Sequence, residues 1–105
     1  MESKRLRAVV EAIPPGRWAS YGDVAVVAGS ANHRDAVGMN TRLTDMDHEC
    51  GHRVLRTDGS VPEKALEDPD GVRIRLAAEG VAFDERGRAD REARLEREEL
   101  QKLAA

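Results

Sequence analysis

The sequence predicts one mainly α domain: a winged helix-turn-helix with a short β-hairpin wing and an extra C-terminal helix. Three observations predict it. Two short helical patterns flank a tight Gly29-Ser30-Ala31-Asn32 turn, the shape of a helix-turn-helix. Downstream, Arg53-Val54-Leu55-Arg56 runs into Asp58-Gly59, a favoured hairpin turn pair, and a hairpin in that place is a wing. The length of 105 residues supports one core, because half as many residues do not fold unaided.

In chain order, Leu6, Val9, Val10 and Ile13 repeat at i, i+3, i+4 and i+7 and predict a first helix with one apolar face. Ser3 is its candidate N-cap, and Pro14-Pro15-Gly16 stops it. Ser20 followed three residues later by Asp23 has the form of a capping box opening a second helix. Val24, Val27 and Ala28 are its inner face, and Gly29 suits the left-handed position past its end. Asn32 caps a third helix with Asp35 in its first turn; Ala36, Val37, Met39 and Leu43 face inward. Residues 44–51 have no apolar period and read as a loop.

The wing follows over residues 53–61, then a second loop to Gly71, where Pro69 and Gly71 discourage regular structure. Residues 72–79 read as a helix with Ile74, Leu76 and Ala77 partly buried, ended by Gly80. Val81-Ala82-Phe83 is a short extended piece. Residues 90–103 are helical in propensity, with a Glu98–Lys102 pair and an apolar edge of Leu100 and Leu103.

Composition narrows the function classes. Charged residues are 35% of the chain and aromatics only 3%, namely Trp18, Tyr21 and Phe83. Three rings are too few for a base-stacking platform of the RRM or OB type. The longest apolar run is too short to span a bilayer, and Met1-Glu2-Ser3-Lys4-Arg5 has no signal-peptide hydrophobic core. A single cysteine, Cys50, excludes an internal disulfide and fits a reducing cytoplasm. The net charge of −3 arises wholly after residue 60, where nine basic residues meet twelve acidic ones. The front of the chain is neutral, and its arginines could grip phosphate while the acidic back faces solvent.

The densest reactive cluster is Asp45, Asp47, His48, Glu49, Cys50 and His52. His48-x-Cys50-x-His52 offers zinc-ligating types, but alternating spacing without a paired Cys-x-x-Cys is not a structural zinc pattern, so no metal and no cofactor is expected. Cys50 with His52 could also be a nucleophile and its base, if His52 and Arg53 lower the thiol pKa. No phosphate-binding loop, dinucleotide fingerprint or hydrolase elbow is present.

Four blocks, read in order, resemble a known family. Residues 13–25 run Ile-Pro-Pro-Gly-Arg-Trp-Ala-Ser-Tyr-Gly-Asp-Val-Ala; Ala36-Val37-Gly38, His52-Arg53-Val54-Leu55-Arg56-Thr57-Asp58-Gly59 and Glu79-Gly80-Val81 follow. This order is similar to the DNA-binding domain of the O6-alkylguanine-DNA alkyltransferases over roughly residues 3–83. The family motif Pro-Cys-His-Arg-Val corresponds here to Cys50-Gly51-His52-Arg53-Val54, so Gly51 stands at the alkyl-acceptor position and Cys50 at the proline position. A glycine has no sulfur to alkylate. In this the chain resembles the alkyltransferase-like proteins, which bind DNA and flip bases without transferring the alkyl group.

The resemblance implies a set of roles. Tyr21 matches the tyrosine that pushes on the phosphate beside the lesion, its alternative being a half-buried ring capping the core. Gly51, His52, Glu79 and Tyr21 would form the lesion pocket. The DNA contacts would include Ser20, Tyr21, Arg34, Gly38, Arg53 and Arg56, with Arg17 and Arg42 as further phosphate ligands. The family arginine that precedes Ala-Val-Gly is replaced by Asp35, and the nearest arginine, Arg34, lies one residue, about 100°, around the helix.

The implied function is non-enzymatic: binding duplex DNA that contains O6-alkylguanine, flipping the base and marking it for nucleotide excision repair proteins. The protein would be a cytoplasmic monomer with no membrane partner. Two alternatives stay open, an active alkyltransferase that uses the displaced Cys50 and a winged-helix protein-interaction module without DNA binding.

Overall fold

A computed structural model describes residues 3–29, 51–63 and 68–104. Helix α1 spans Ser3–Glu11. Leu6, Val9, Val10 and Ile13 are all fully buried, so the apolar stripe does set its inner face. The chain then turns at Pro14-Pro15-Gly16. Gly16 has φ +85°, and a Cβ there would meet the Glu79 carbonyl oxygen at 3.1 Å, so this turn admits little but glycine.

Strand β1, Ala19–Ser20, leads directly into α2, Tyr21–Val27. Ser20 is extended, and its hydroxyl accepts from the Asp23 amide at 3.1 Å. Half of the expected capping box is therefore built. The other half is not: the Asp23 carboxylate accepts instead from Arg94 and Arg97. Val24, Val27 and Ala28 are buried, and Gly29 ends the helix with φ +100°. The third helix expected from Asn32, and the loop leading to Cys50, lie outside the described residues.

Gly51–Arg53 forms a 3₁₀ turn leading into strand β2, Val54–Leu55. Of the hairpin expected over residues 53–61 the tight end closes, the Arg56 amide donating to the Ser60 carbonyl at 3.2 Å, but Val54 and Leu55 take another partner. β2 pairs with β1, in parallel, with Ala19 opposite Val54 and Ser20 opposite Leu55. Val54 and Leu55 are both buried, and a strand covered on both faces suits an interior parallel pair rather than a half-exposed wing. The Asp58-Gly59 turn does form, closed by the Gly59 amide on the Arg56 carbonyl at 2.8 Å. Beyond it Ser60 bridges to Arg88, and Phe83 bridges to Ala89.

Helix α3 spans Pro69–Ala78, starting three residues before the helix expected from residue 72. Proline is tolerated at a first helical position, where its missing N–H has no intrahelical role; Asp68 caps the helix by accepting from the Gly71 amide at 3.1 Å. Val72 and Leu76 carry its buried face. Ile74, expected to be partly buried, is 69% exposed.

The C-terminal helix is shorter than propensity suggests. Residues 91–93 make a 3₁₀ turn, Arg94 is extended, and only Arg97–Leu103 is α-helical; this helix is α4. Pairing of Arg94 with Trp18 overrides the local preference for helix. A capping box between Glu96 and Glu99 starts α4. Leu95 and Leu100 are buried in the core with α1 and α2, whereas Leu103, expected on the apolar edge, is 51% exposed. A second apolar cluster gathers Trp18, Leu55, Val61, Val72, Leu76, Val81 and Ala89.

Candidate nucleic-acid interface

Glu79 sits at the C-terminal cap of α3, and α3 packs against the Gly51–Arg53 turn. That packing brings His52 and Glu79, two of the four residues expected to line the pocket, together. The His52 Nε2 lies 2.9 Å from Glu79 Oε2. Arg53 donates through Nε to Oε1 at 3.0 Å and through a terminal nitrogen to Oε2 at 2.7 Å. The Gly16 amide donates to Oε1 at 3.3 Å, and the other Arg53 terminal nitrogen donates to the Ile13 carbonyl at 2.9 Å. One carboxylate thus ties together the turn after α1, the Gly51 turn and the end of α3.

Burial pushes the Glu79 carboxyl up, but hydrogen bonds from Arg53, His52 and the Gly16 amide outweigh it and bring the pKa down to about 2. The group is therefore a carboxylate at any ordinary pH. A carboxylate only accepts, so His52 Nε2 carries the hydrogen that it donates to Glu79. The other ring nitrogen, Nδ1, is buried and has no hydrogen-bond partner among the described residues. Gly51 beside it is buried too.

Tyr21, the first residue of α2, is half-buried and packs against the α1–α2 core. Burial pushes its phenol up to about 12, with the Arg56 guanidinium pulling the other way. The phenol is neutral under physiological conditions and so adds no charge against a phosphate. Arg56 is exposed and near enough to be felt by that ring. Ser20 is buried, and its hydroxyl is engaged with Asp23.

Two arginines named as phosphate ligands are used inside the molecule. Arg53, with a side chain only 11% exposed, is held by Glu79 and Ile13. Arg17 donates to the Ala93 and Arg94 carbonyls at 3.0 and 3.1 Å. Guanidiniums fixed by internal partners belong to the scaffold. Arg34, Gly38, Arg42 and Cys50 lie outside the described residues. Of the His48-x-Cys50-x-His52 set, His52 alone is described, and its Nε2 is taken by Glu79; among the described residues no group of three His, Cys, Asp or Glu could hold a metal ion.

Sequence reasoning gave the residues after 83 no part in the site. Arg94 donates to Asp23 Oδ2 and Arg97 to Asp23 Oδ1, each at 3.1 Å, and the Arg94 guanidinium lies 5.9 Å from the Trp18 ring centroid. A cleft of about 780 Å³ also opens here, with Thr57, Asp58, Phe83, Arg88, Arg91 and Arg94 among its walls. It is lined by none of Gly51, His52 and Glu79. No periodicity marks these contacts, which join residues about 70 positions apart.

Comparison with known proteins places the chain in a family. The chain is 38% identical over 90 residues to the DNA base-flipping protein of Escherichia coli K12, an alignment covering 83% of this chain and 67% of that protein. The DNA base-flipping protein of Shigella flexneri matches to the same extent. Among solved structures, S. pombe Atl1 in complex with damaged DNA containing O6-carboxymethylguanine has a TM-score of 0.64 at 18% identity, covering 91% of this chain and 98% of that one. At that identity the likeness is one of fold. Residues 2–81 match the profile described as 6-O-methylguanine DNA methyltransferase, DNA binding domain, and the chain belongs to that family.

Proposed function

We propose that this protein recognises alkylated DNA by flipping the damaged base and does so without accepting the alkyl group. The observation that carries the reading is the motif Cys50-Gly51-His52-Arg53-Val54, set beside an intact His52–Glu79–Arg53 network. In the family the histidine and glutamate serve a cysteine; here the aligned position is Gly51, with no sulfur to activate. The network then serves to hold the Gly51 turn in shape.

The physical sequence of events follows from the residues. Extruding a base costs a few kcal/mol, least where pairing is already impaired, as at O6-alkylguanine. Tyr21 is suited to drive extrusion, because a ring packed against the core is a stiff wedge and a neutral phenol can approach a phosphate. Arg56 supplies positive charge beside it. Gly51 leaves room where a cysteine side chain would stand, so a bulky adduct can be held. With no alkyl transfer the lesion remains in the DNA, and its removal falls to nucleotide excision repair proteins as partners. The likeness to DNA base-flipping proteins supports this reading.

Titration of the protein against an O6-methylguanine duplex and the matched plain duplex tests it. Salt-sensitive binding that is tighter for the lesion is expected; equal affinity for both would overturn lesion recognition. Mass spectrometry of the same mixture tests the missing chemistry. An unmodified chain is expected, and a methyl group on Cys50 would make the protein a transferase instead.

A further inference from the structure

We propose that the segment from Asp90 to Arg97 is a positioning frame for Tyr21, with Arg94 and Arg97 as its grips. The proposal rests on the reading of Tyr21 as the residue that pushes the nucleotide out. The segment lies beyond residues 2–81, the span that matches the family's DNA-binding domain.

The frame holds the chain on both sides of Tyr21. Before it, the Trp18 amide donates to the Ala93 carbonyl at 3.0 Å, and the Leu95 amide donates to the Trp18 carbonyl at 2.7 Å. The Trp18 indole N–H donates to the Asp90 carbonyl at 2.9 Å. After it, Asp23 is clasped by Arg94 on one carboxylate oxygen and by Arg97 on the other. Arg94 joins the two flanks, since its guanidinium also lies against the Trp18 ring. Three residues before Tyr21 the strap fixes the backbone, and two residues after it the same strap holds the Asp23 side chain.

A helix as short as α2, seven residues, does not hold its own shape or direction. A side chain that pushes on a phosphate must nevertheless resist recoil, because a small misplacement of a working group is costly. Leu95 within the segment and Leu100 in the helix that follows it are already anchored in the core, so cohesion alone does not call for two arginines on one aspartate. Their grip falls on the first turn of α2, where it sets the direction in which Tyr21 points.

The chain has one tyrosine, so 3-fluorotyrosine labelling places a single ¹⁹F resonance on Tyr21. The full chain carrying R94Q and R97Q together is compared with the wild type, with R97K and with L100A, which loosens the core without touching Asp23. In the folded double variant the resonance is expected to move towards the free amino-acid position. Preference for the O6-methylguanine duplex over the plain duplex should fall about tenfold, with plain-duplex affinity unchanged. R97K should keep both readouts, and L100A should lower the melting temperature while keeping both. If the double variant does not fold, R97Q alone, at a side chain 44% exposed, should move the resonance in the same direction. An unmoved resonance in the folded double variant, or in R97Q where that is the variant studied, would overturn the frame. The fluorine readout needs no DNA, so absence of lesion preference in the wild type would count against the proposed function and not against the frame.

Discussion

Glu79 and Arg53 form a two-pronged ion pair, Arg53 donating to both carboxylate oxygens at 3.0 and 2.7 Å. Twenty-six residues separate them along the chain. They meet because α3 ends against the Gly51 turn, and the same carboxylate then takes His52 and the Gly16 amide. The residue that orients the candidate pocket is thus also the residue that keeps the scaffold arginine neutralised.

Glu79→Gln keeps the shape and removes the charge. Arg53 loses the charge of the carboxylate it grips in a mostly enclosed site, and a loss of roughly 2–4 kcal/mol is expected, at or below the usual range for a broken buried pair because both side chains are partly exposed. Urea unfolding measures it. Lesion preference should be lost as well, since the Gly51 turn loses its tie to α3; an unchanged unfolding midpoint would show that the pair contributes nothing.

Acid should erode this contribution in a defined window. The Glu79 pKa is lowered from 4.5 to about 2, so the unfolded chain binds the proton more readily than the folded one. The stabilisation is therefore fully present above pH 4.5 and is lost as pH falls through about 2. Urea midpoints taken downward from pH 6 should fall faster for the wild type than for E79Q, and parallel curves would refute the assignment.

Alkali acts on Tyr21 with the opposite sense. Its pKa is raised from 10.0 to about 12, so the stabilisation is complete below pH 10 and is lost as pH rises through about 12. With a single tyrosine, absorbance at the tyrosinate band follows this group alone, and a midpoint near that of free tyrosine would mean the ring is not buried. Arg56→Ala removes the positive charge that opposes the shift and should move the midpoint higher still.

Gly59→Ala probes the turn by which the chain leaves β2. Gly59 has φ +85°, and an added Cβ would meet the Ala89 carbonyl oxygen at 2.7 Å and its amide nitrogen at 3.0 Å. Backbone strain and overpacking together should cost roughly 2–5 kcal/mol. Thermal melting checks this, with an Asp58→Ala control at the exposed neighbouring turn position expected to cost less.

Much of the architecture was legible from local chemistry. The i, i+3, i+4, i+7 stripe of Leu6, Val9, Val10 and Ile13 specifies α1, and Ser20 ahead of Asp23 announces the start of α2, because both signals act within one or two helical turns. The turn at Gly59 was legible for the same reason. Pairing was not. Val54-Leu55 looks the same in sequence whether it folds back as a hairpin or lies beside Ala19-Ser20, and only the burial of both its faces selects the parallel partner.

The site divides in the same way. Type and order along the chain were enough to name Tyr21, Gly51, His52 and Glu79 as candidates, since a family motif is a local pattern. Side-chain identity does not say which charge meets which. Arg53 and Arg17 look as available for phosphate as Arg56 does, yet in the folded chain two of the three are spent on internal acceptors. Residues 90–97 have helical propensity throughout, and Trp18 and Asp23 draw them instead into a strap about 70 residues away in sequence. The amino-acid order by itself determined the short-range helices, the turns and the absence of sulfur at residue 51. Tertiary structure alone decided strand partners, charge partners and the role of the C-terminal segment, because those depend on which surfaces are close in space once the core has closed.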